Sequence, residues 1–230
     1  MRLTIAHETF YKFEEPAKHS IQYLRLTPGS SACQRVLSWS VSTQGTLTPW
    51  IDGFGNSAHV STIDGEHDEV KVVVEGVVDT FDTSGILGPR DGLPPELFLR
   101  DTPFTEIGEA TRALAEQVKG DIASDTLSGL HALTNLIADK VTYETGATTV
   151  ETSAEEAVQA GTGVCQDHAH IFLTCARWCG IPSRYVSGYL LAGQGNAVAF
   201  LHLALGLGLG GMRAQSGGHG PGHGKGFHGM

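Results

Sequence analysis

The side chains best suited to chemistry are gathered in Gly161-Thr162-Gly163-Val164-Cys165-Gln166-Asp167-His168-Ala169-His170. Two glycines make a turn, and a cysteine then opens a helical pattern. A helix N-terminus presents unpaired backbone N–H groups and a partial positive charge. Both favour thiolate over thiol, and thiolate is the nucleophile. The same N–H groups can hold the oxyanion of a tetrahedral intermediate. The chemistry this arrangement suits is acyl transfer through a thioester. A buried structural cysteine at a helix start fits the same spacing, because free cysteine is among the most buried residue types.

The remaining cysteines are Cys33, Cys175 and Cys179. A zinc site joining Cys165, His168, Cys175 and Cys179 fails on distance. Fourteen helical residues separate Cys165 from Cys179, about 21 Å at 1.5 Å per residue, and one tetrahedral ion cannot bridge that. Cys175 and Cys179 are spaced i, i+4 and read as core packing. His219, His223 and His228 lie in a Gly-rich tail, where metal binding would be an accident of composition. No metal or cofactor is expected.

The elements that must position Cys165 follow from periodicity. Residues 1–84 read as β-rich: Ile21–Pro28 and Val36–Ser42 alternate, Val70–Val78 is β-branched, and turns such as Asp52-Gly53-Phe54-Gly55-Asn56 separate them. Several short strands of this kind predict an antiparallel β-sandwich. Residues 85–103 are rich in Gly and Pro and read as a linker. Amphipathic spacing predicts helices over about 105–119 and 126–139, the second capped by Asp125 or Thr126. A third helix runs from Cys165 to Cys179, where Gly180 and Pro182 stop it. Ser183–Leu191 then reads as a strand. The fold class is α+β, with a core over 104–192 and a Gly/His-rich tail over 193–230 that reads as disordered.

The net charge is −10. All 25 acidic residues lie at or before Asp167, with 11 of the 15 basic ones, so the first 167 residues carry −14 and the last 63 carry +4. This excess of negative charge argues against nucleic acid or an anionic membrane as partner. No apolar run reaches the ~18 residues of a membrane span. The start, Met1-Arg2-Leu3-Thr4, is too polar for a signal peptide, so a cytoplasmic location with free thiols is expected.

Gly163–His170 followed by Arg177-Trp178-Cys179-Gly180-Ile181-Pro182-Ser183-Arg184-Tyr185-Val186-Ser187-Gly188-Tyr189-Leu190 resembles the transglutaminase-like core of bacterial proteins. Tyr23–Pro28 and Asp52–Asn56 are similar to the β-rich N-terminal domain found before that core. The resemblance spans roughly the first 190 residues. It implies a papain-like core whose family chemistry uses a Cys–His–Asp triad on peptide or glutamine amides, with Cys165 as nucleophile. His168 and His170 belong to the matched motif, in which the catalytic histidine comes from another strand, so they read as supporting or packing residues.

The family's histidine and aspartate motifs, Ser-His-Ala-Trp-like and Asp-Pro-Thr-like, are missing. No Asp or Glu follows Asp167. His202 is the one histidine near the expected position of the base, and it stands alone in an apolar run. One hypothesis for this texture is a shifted reading frame: the codons of His202–Gly208, read one nucleotide later, can give Thr-Ser-His-Trp-Ala-Trp. Translating all frames of the gene tests that. If the tail is genuine, the core is truncated, and an exposed strand edge favours self-association. Two functions follow. One is a transglutaminase-like cysteine enzyme acting on protein or peptide amides as protease, amidase or acyl transferase. The other is a catalytically impaired or non-enzymatic domain of the same fold. Cys165→Ala is expected to abolish amide hydrolysis, and His202→Ala to change little.

Overall fold

The computed structural model describes residues 1–83, 93–191 and 198–206, with side chains through Tyr189. The chain separates into two compact units, the first ending at Gly92 and the second beginning at Leu93.

In the first unit, the expected short strands are joined into long ones. Strand β1 (Arg2–Leu24) pairs antiparallel with β4 (Ser57–Thr80) from Arg2–Asp79 to Leu24–His59. The register slips between Lys12 and His19, and such bulges bend a strand. Strand β2 (Gln34–Thr43) pairs with the C-terminal half of β4, and β3 (Thr46–Ile51) with its N-terminal half. Val70, Val72 and Val74 alternate inward and are buried. Leu24 joins Val70 and Val72 in one apolar cluster. Yet its partner His59 lies 11 residues before Val70 on β4, about 36 Å along a straight strand. The sheet must therefore fold over itself, so that its two halves face each other as the layers of a sandwich do. Leu47 and Ile63 from one half and Tyr11 and Val41 from the other complete the cluster.

The two N-terminal motifs meet. Arg25 Nε donates to Asp52 Oδ2 at 2.8 Å. The buried Asp52 carboxylate also accepts from the backbone N–H groups of Phe54 and Asn56 and from Asn56 Nδ2, each at 2.9 Å. Gly55 adopts φ 75° to close this loop.

The second unit packs helices α1 (Glu109–Ser124), α2 (Thr126–Lys140), α3 (Ala154–Ala160) and α4 (Cys165–Trp178) around Leu114, Val118, Leu130, Leu133, Ile171 and Cys175. Helix α1 starts four residues later than its periodicity predicts, because Thr102 and Thr105 close a turn of their own. Glu155, from α3, caps α1 by accepting from Ala110 N and Thr111 N. Asp125 is the cap of α2, accepting from Leu127 N and Ser128 N. Helix α3 is absent from the expected elements, although Ser153 and Glu156 form a capping box. Gly180 at φ 80° ends α4, with Ile181 N donating to Ala176 O and Gly180 N to Arg177 O. None of the described helices is long and apolar enough to cross a membrane.

Two boundaries differ from expectation. The stretch 93–103, read as linker, is anchored: a 3₁₀ turn at Pro95–Leu99 buries Phe98, and Arg177 Nε donates to the Phe98 carbonyl. The tail read from residue 193 contains a strand. After β7 (Ser183–Leu191), strand β8 (Val198–Gly206) pairs with it antiparallel from Leu191–Val198 to Ser183–Gly206. The apolar run Val198–Leu205 supplies what a strand needs, despite the glycines around it. Residues 192–197 and 207–230, with His219, His223 and His228, lie outside the described residues.

Candidate active site

Cys165 is the first residue of α4 and is partly exposed. Its position is set by the segment before it. Thr162 and Gly163 form β6, which pairs in parallel with β5 (Thr142–Tyr143) at the end of α2. Thr142 N donates to Gly161 O at 2.8 Å and Glu144 N to Gly163 O at 3.0 Å. Gly161 takes φ 68° to end α3. The backbone N–H groups of Cys165, Gln166 and Asp167 have no acceptor within the helix, as at any helix start. They are donors of the kind a developing oxyanion needs.

Asp167 secures this turn. Its carboxylate is buried at 1% exposure. Oδ2 accepts from Val164 N at 2.7 Å and from Thr148 Oγ1 at 2.6 Å. Gly163 permits this approach: a Cβ there would stand 2.8 Å from Asp167 Cβ and 3.0 Å from Oδ2. Gln166 Nε2 adds a longer contact, 3.4 Å, to Val150 O. The 144–153 loop is thus tied to the nucleophile turn at two points.

Tyr185 of β7 closes another side. Its ring lies 5.4 Å from that of His170, which stacks on Phe104 at 5.8 Å and 7°. Burial raises the Tyr185 hydroxyl well above its ordinary value, and the charges of Cys165 and Asp167 raise it further. Tyr185 is therefore a neutral hydroxyl within electrostatic range of the thiol. His168 cannot act as a base here, since its Nδ1 sits 2.9 Å from Val164 O and its Nε2 3.0 Å from Val141 O. Both nitrogens are occupied.

The other α4 thiols differ in kind. Cys175 is fully buried, its Sγ directed at Thr111 O, and burial pushes it up to about 12, with Cys179 and Glu155 adding to the effect. Burial also raises Cys179, against the pull of Lys119. Arg177 anchors the far end of α4, donating to Phe98 O, Ser183 O and Thr105 Oγ1.

His202 lies on β8 opposite Ser187, and Ala204 lies opposite Tyr185. Positions opposite one another, and those two apart, share a face of a hairpin. His202 therefore occupies the face that carries Tyr185, with β8 running beside α4. The side chain of His202 is outside the described residues.

Residues 3–79 match the bacterial transglutaminase-like N-terminal region, and residues 112–219 match the transglutaminase-like superfamily. Residues 112–219 are thus a transglutaminase-like core region, preceded by a bacterial transglutaminase-like N-terminal region. The match to the transglutaminase-like core passes residue 192 and includes β8. An uncharacterized protein of Mycobacterium leprae is 28% identical over 205 residues, covering 82% of this chain and 71% of the relative. An uncharacterized protein of Mycobacterium tuberculosis is 28% identical over 206 residues, and the chain spans 66% of its length. Among solved structures, a proposed cysteine protease from Cytophaga hutchinsonii superposes with TM-score 0.69 at 21% identity, covering 90% of this chain and 72% of that one. That likeness shows a shared fold and nothing finer.

Sequence reasoning passed over three participants. Asp167 had a signal, an acidic residue at the third helical position, where a carboxylate can reach back to the N-terminal N–H groups. Tyr185 lay in a recognised strand, but its facing was not readable from alternation. Thr148 had no local signal at all.

Proposed function

We propose that the chain is a cysteine enzyme acting on protein or peptide amides, glutamine amides included, through a thioester at Cys165. The observation that carries this reading is a partly exposed thiol at the first residue of a helix whose preceding turn is held by Asp167. In the reaction, the Cys165 thiolate attacks the carbonyl carbon and the oxygen takes the negative charge. The N–H groups of the first α4 turn stabilise that oxyanion. Its collapse breaks the C–N bond, and the amine leaves with a proton supplied by the protonated form of the base. Water or a second amine then attacks the thioester, loses its proton to the base and releases the thiolate. His202, whose backbone pairs with Ser187 of β7, is the candidate base that this reading takes.

A second reading, an impaired or non-enzymatic domain, is favoured by one observation: no acidic residue follows Asp167 to orient a histidine. Asp167 itself is engaged with Val164 and Thr148. Two measurements separate the readings. Iodoacetamide at pH 7 should label Cys165 at least tenfold faster than Cys175, and Cys165→Ala should abolish cleavage of a casein substrate and amine transfer to it. Equal, slow labelling of both thiols would refute the enzyme. His202→Ala reports on the base: a hundredfold loss of turnover assigns the role to His202, and unchanged turnover removes it.

A further inference from the structure

We propose that His168 is held as an imidazolium donating from both ring nitrogens, and that in this form it positions the nucleophile helix and supports the Cys165 thiolate. The inference rests on Cys165 being the nucleophile. Its geometry stands on two contacts. His168 Nδ1 lies 2.9 Å from Val164 O and Nε2 lies 3.0 Å from Val141 O. Carbonyl oxygens only accept hydrogen bonds. A neutral imidazole has one N–H and one lone pair, so it can satisfy one of these carbonyls while its lone pair confronts the other. The doubly protonated ring satisfies both.

The two carbonyls belong to the elements that set the site. Val141 follows the last residue of α2, with its N–H donating to Ile137 O. The C-terminal end of a helix is the negative end of its dipole and favours a cation. Val164 is the residue before Cys165, and its carbonyl also accepts the His168 backbone N–H at 3.1 Å. The ring therefore clamps the start of α4 to the end of α2, in parallel with the β5–β6 pair. The positive N-terminus of α4 opposes the charge, and the Asp167 carboxylate, on the residue before His168, is of the opposite sign. The ionisable groups nearest in sequence to the two carbonyls are Asp139 and Lys140 at the end of α2, Tyr143, whose ring centroid is 6.3 Å away, Glu144 beyond it, and Cys165 itself; His131 lies farther back on α2, and His170, Cys175 and Arg177 farther along α4.

The functional consequence follows from helical spacing. Cys165 and His168 are one turn apart on the same helix, and residues three apart are surface neighbours. A fixed positive charge at that range favours thiolate over thiol. His168 does this without exchanging a proton with substrate, since both nitrogens face backbone carbonyls. It is a positioning residue.

Two measurements on the full chain test this. In nitrogen–proton correlation spectra of the ¹⁵N-labelled protein at pH 7, both His168 ring nitrogens should carry slowly exchanging protons. A ring with a single N–H overturns the inference without needing any variant. In the second, iodoacetamide alkylation of Cys165 is followed by peptide mass spectrometry across pH, with Cys175 as internal reference. His168→Gln should slow Cys165 alkylation at pH 7 roughly three- to tenfold and move the midpoint of its pH profile upward. An unchanged rate and midpoint in a folded His168→Gln protein overturns the role in thiolate support. If wild-type Cys165 labels no faster than Cys175, the nucleophile reading fails, and this inference falls with it. Fast labelling beside a singly protonated His168 ring sinks this inference alone.

Discussion

Replacing Asp167 with alanine probes how firmly the nucleophile turn is held. The substitution removes the acceptor of Val164 N–H at 2.7 Å and of the Thr148 hydroxyl at 2.6 Å. Hydrogen bonds to a charged group contribute about 1.5–3 kcal/mol each. The loss is partly offset, because Asp167 Oδ1 is buried without a hydrogen-bond partner and its desolvation is relieved when the carboxylate goes. We expect a net loss of about 2–3 kcal/mol in the second unit. Guanidinium unfolding followed through Trp178, which packs against that unit's core, measures it. Thr148→Val alone removes one donor to the carboxylate and should cost about 1.5 kcal/mol. In the Asp167→Ala background it should cost almost nothing. A double-mutant cycle should therefore return a coupling of about 1.5 kcal/mol, with faster amide exchange at Val164 in the Asp167 variant. Additivity within ~0.3 kcal/mol, the behaviour of independent sites, would show that the carboxylate does not tie the 144–153 loop to α4.

Gly163→Ala puts a Cβ 2.8 Å from that of Asp167 and should displace the carboxylate, costing about 1–3 kcal/mol and slowing Cys165 alkylation; a fully stable, fully reactive variant contradicts the close approach. Arg177→Lys cannot reproduce a fork that reaches Phe98 O, Ser183 O and Thr105 Oγ1, so thermal unfolding should show a loss of about 2–3 kcal/mol. Acid stability should divide by unit. Burial pushes Asp52 up, but bonds from Arg25, Asn56 and the Phe54 amide outweigh it and hold the carboxyl well below its ordinary range; Glu155 is likewise held down by Thr111 and Ala110 against burial. A carboxylate depressed in the native state contributes stability that is complete above its unfolded value of about 4 and is lost as pH falls through the native value. Asp52→Asn should flatten the acid dependence of the first unit only, and Glu155→Gln that of the second only, as read by separate fluorescence of Trp39 and Trp178 variants.

Legibility in the sequence followed the range of the interaction. Helices α2 and α4 were readable because their stop and start signals are local: Asp125, Gly180 and the cysteine after paired glycines. The strands of the first unit were readable as β but not as two long bent strands, since bulges between Lys12 and His19 follow from pairing across the sheet. Helix α3 went unread because seven residues carry too little periodicity, although its capping box was present. The early start given to α1 failed for a tertiary reason, as Thr105 is drawn into a turn and to the Arg177 guanidinium. The anchored segment at Phe98 and the strand Val198–Gly206 were obscured by glycine-rich neighbours, because composition averages over residues that behave differently. Within the site, Cys165 was legible and its supports were not, since Thr148, Tyr185 and Val141 reach it from other elements.

The division of labour around Cys165 bears on the missing third member of the triad. Asp167 is the last acidic residue of the chain, and it is the only carboxylate in the nucleophile helix. Its Oδ2 already accepts two hydrogen bonds that hold the turn together. Turning it toward a histidine would release Val164 N–H and the Thr148 hydroxyl, at a cost of several kcal/mol. A carboxylate so committed serves the scaffold and cannot also orient a base. Two sets of variants should therefore behave differently. Changes at Asp167, Gly163 or Thr148 should alter stability and thiol reactivity together, because one turn underlies both. On the reading that His202 is the base, its replacement should alter turnover without altering Cys165 alkylation, because it would act after the thiolate has formed. If His202→Ala lowers thiol reactivity as well, the base is electrostatically coupled to the sulfur in the resting protein. In that case, the pair functions without an orienting carboxylate.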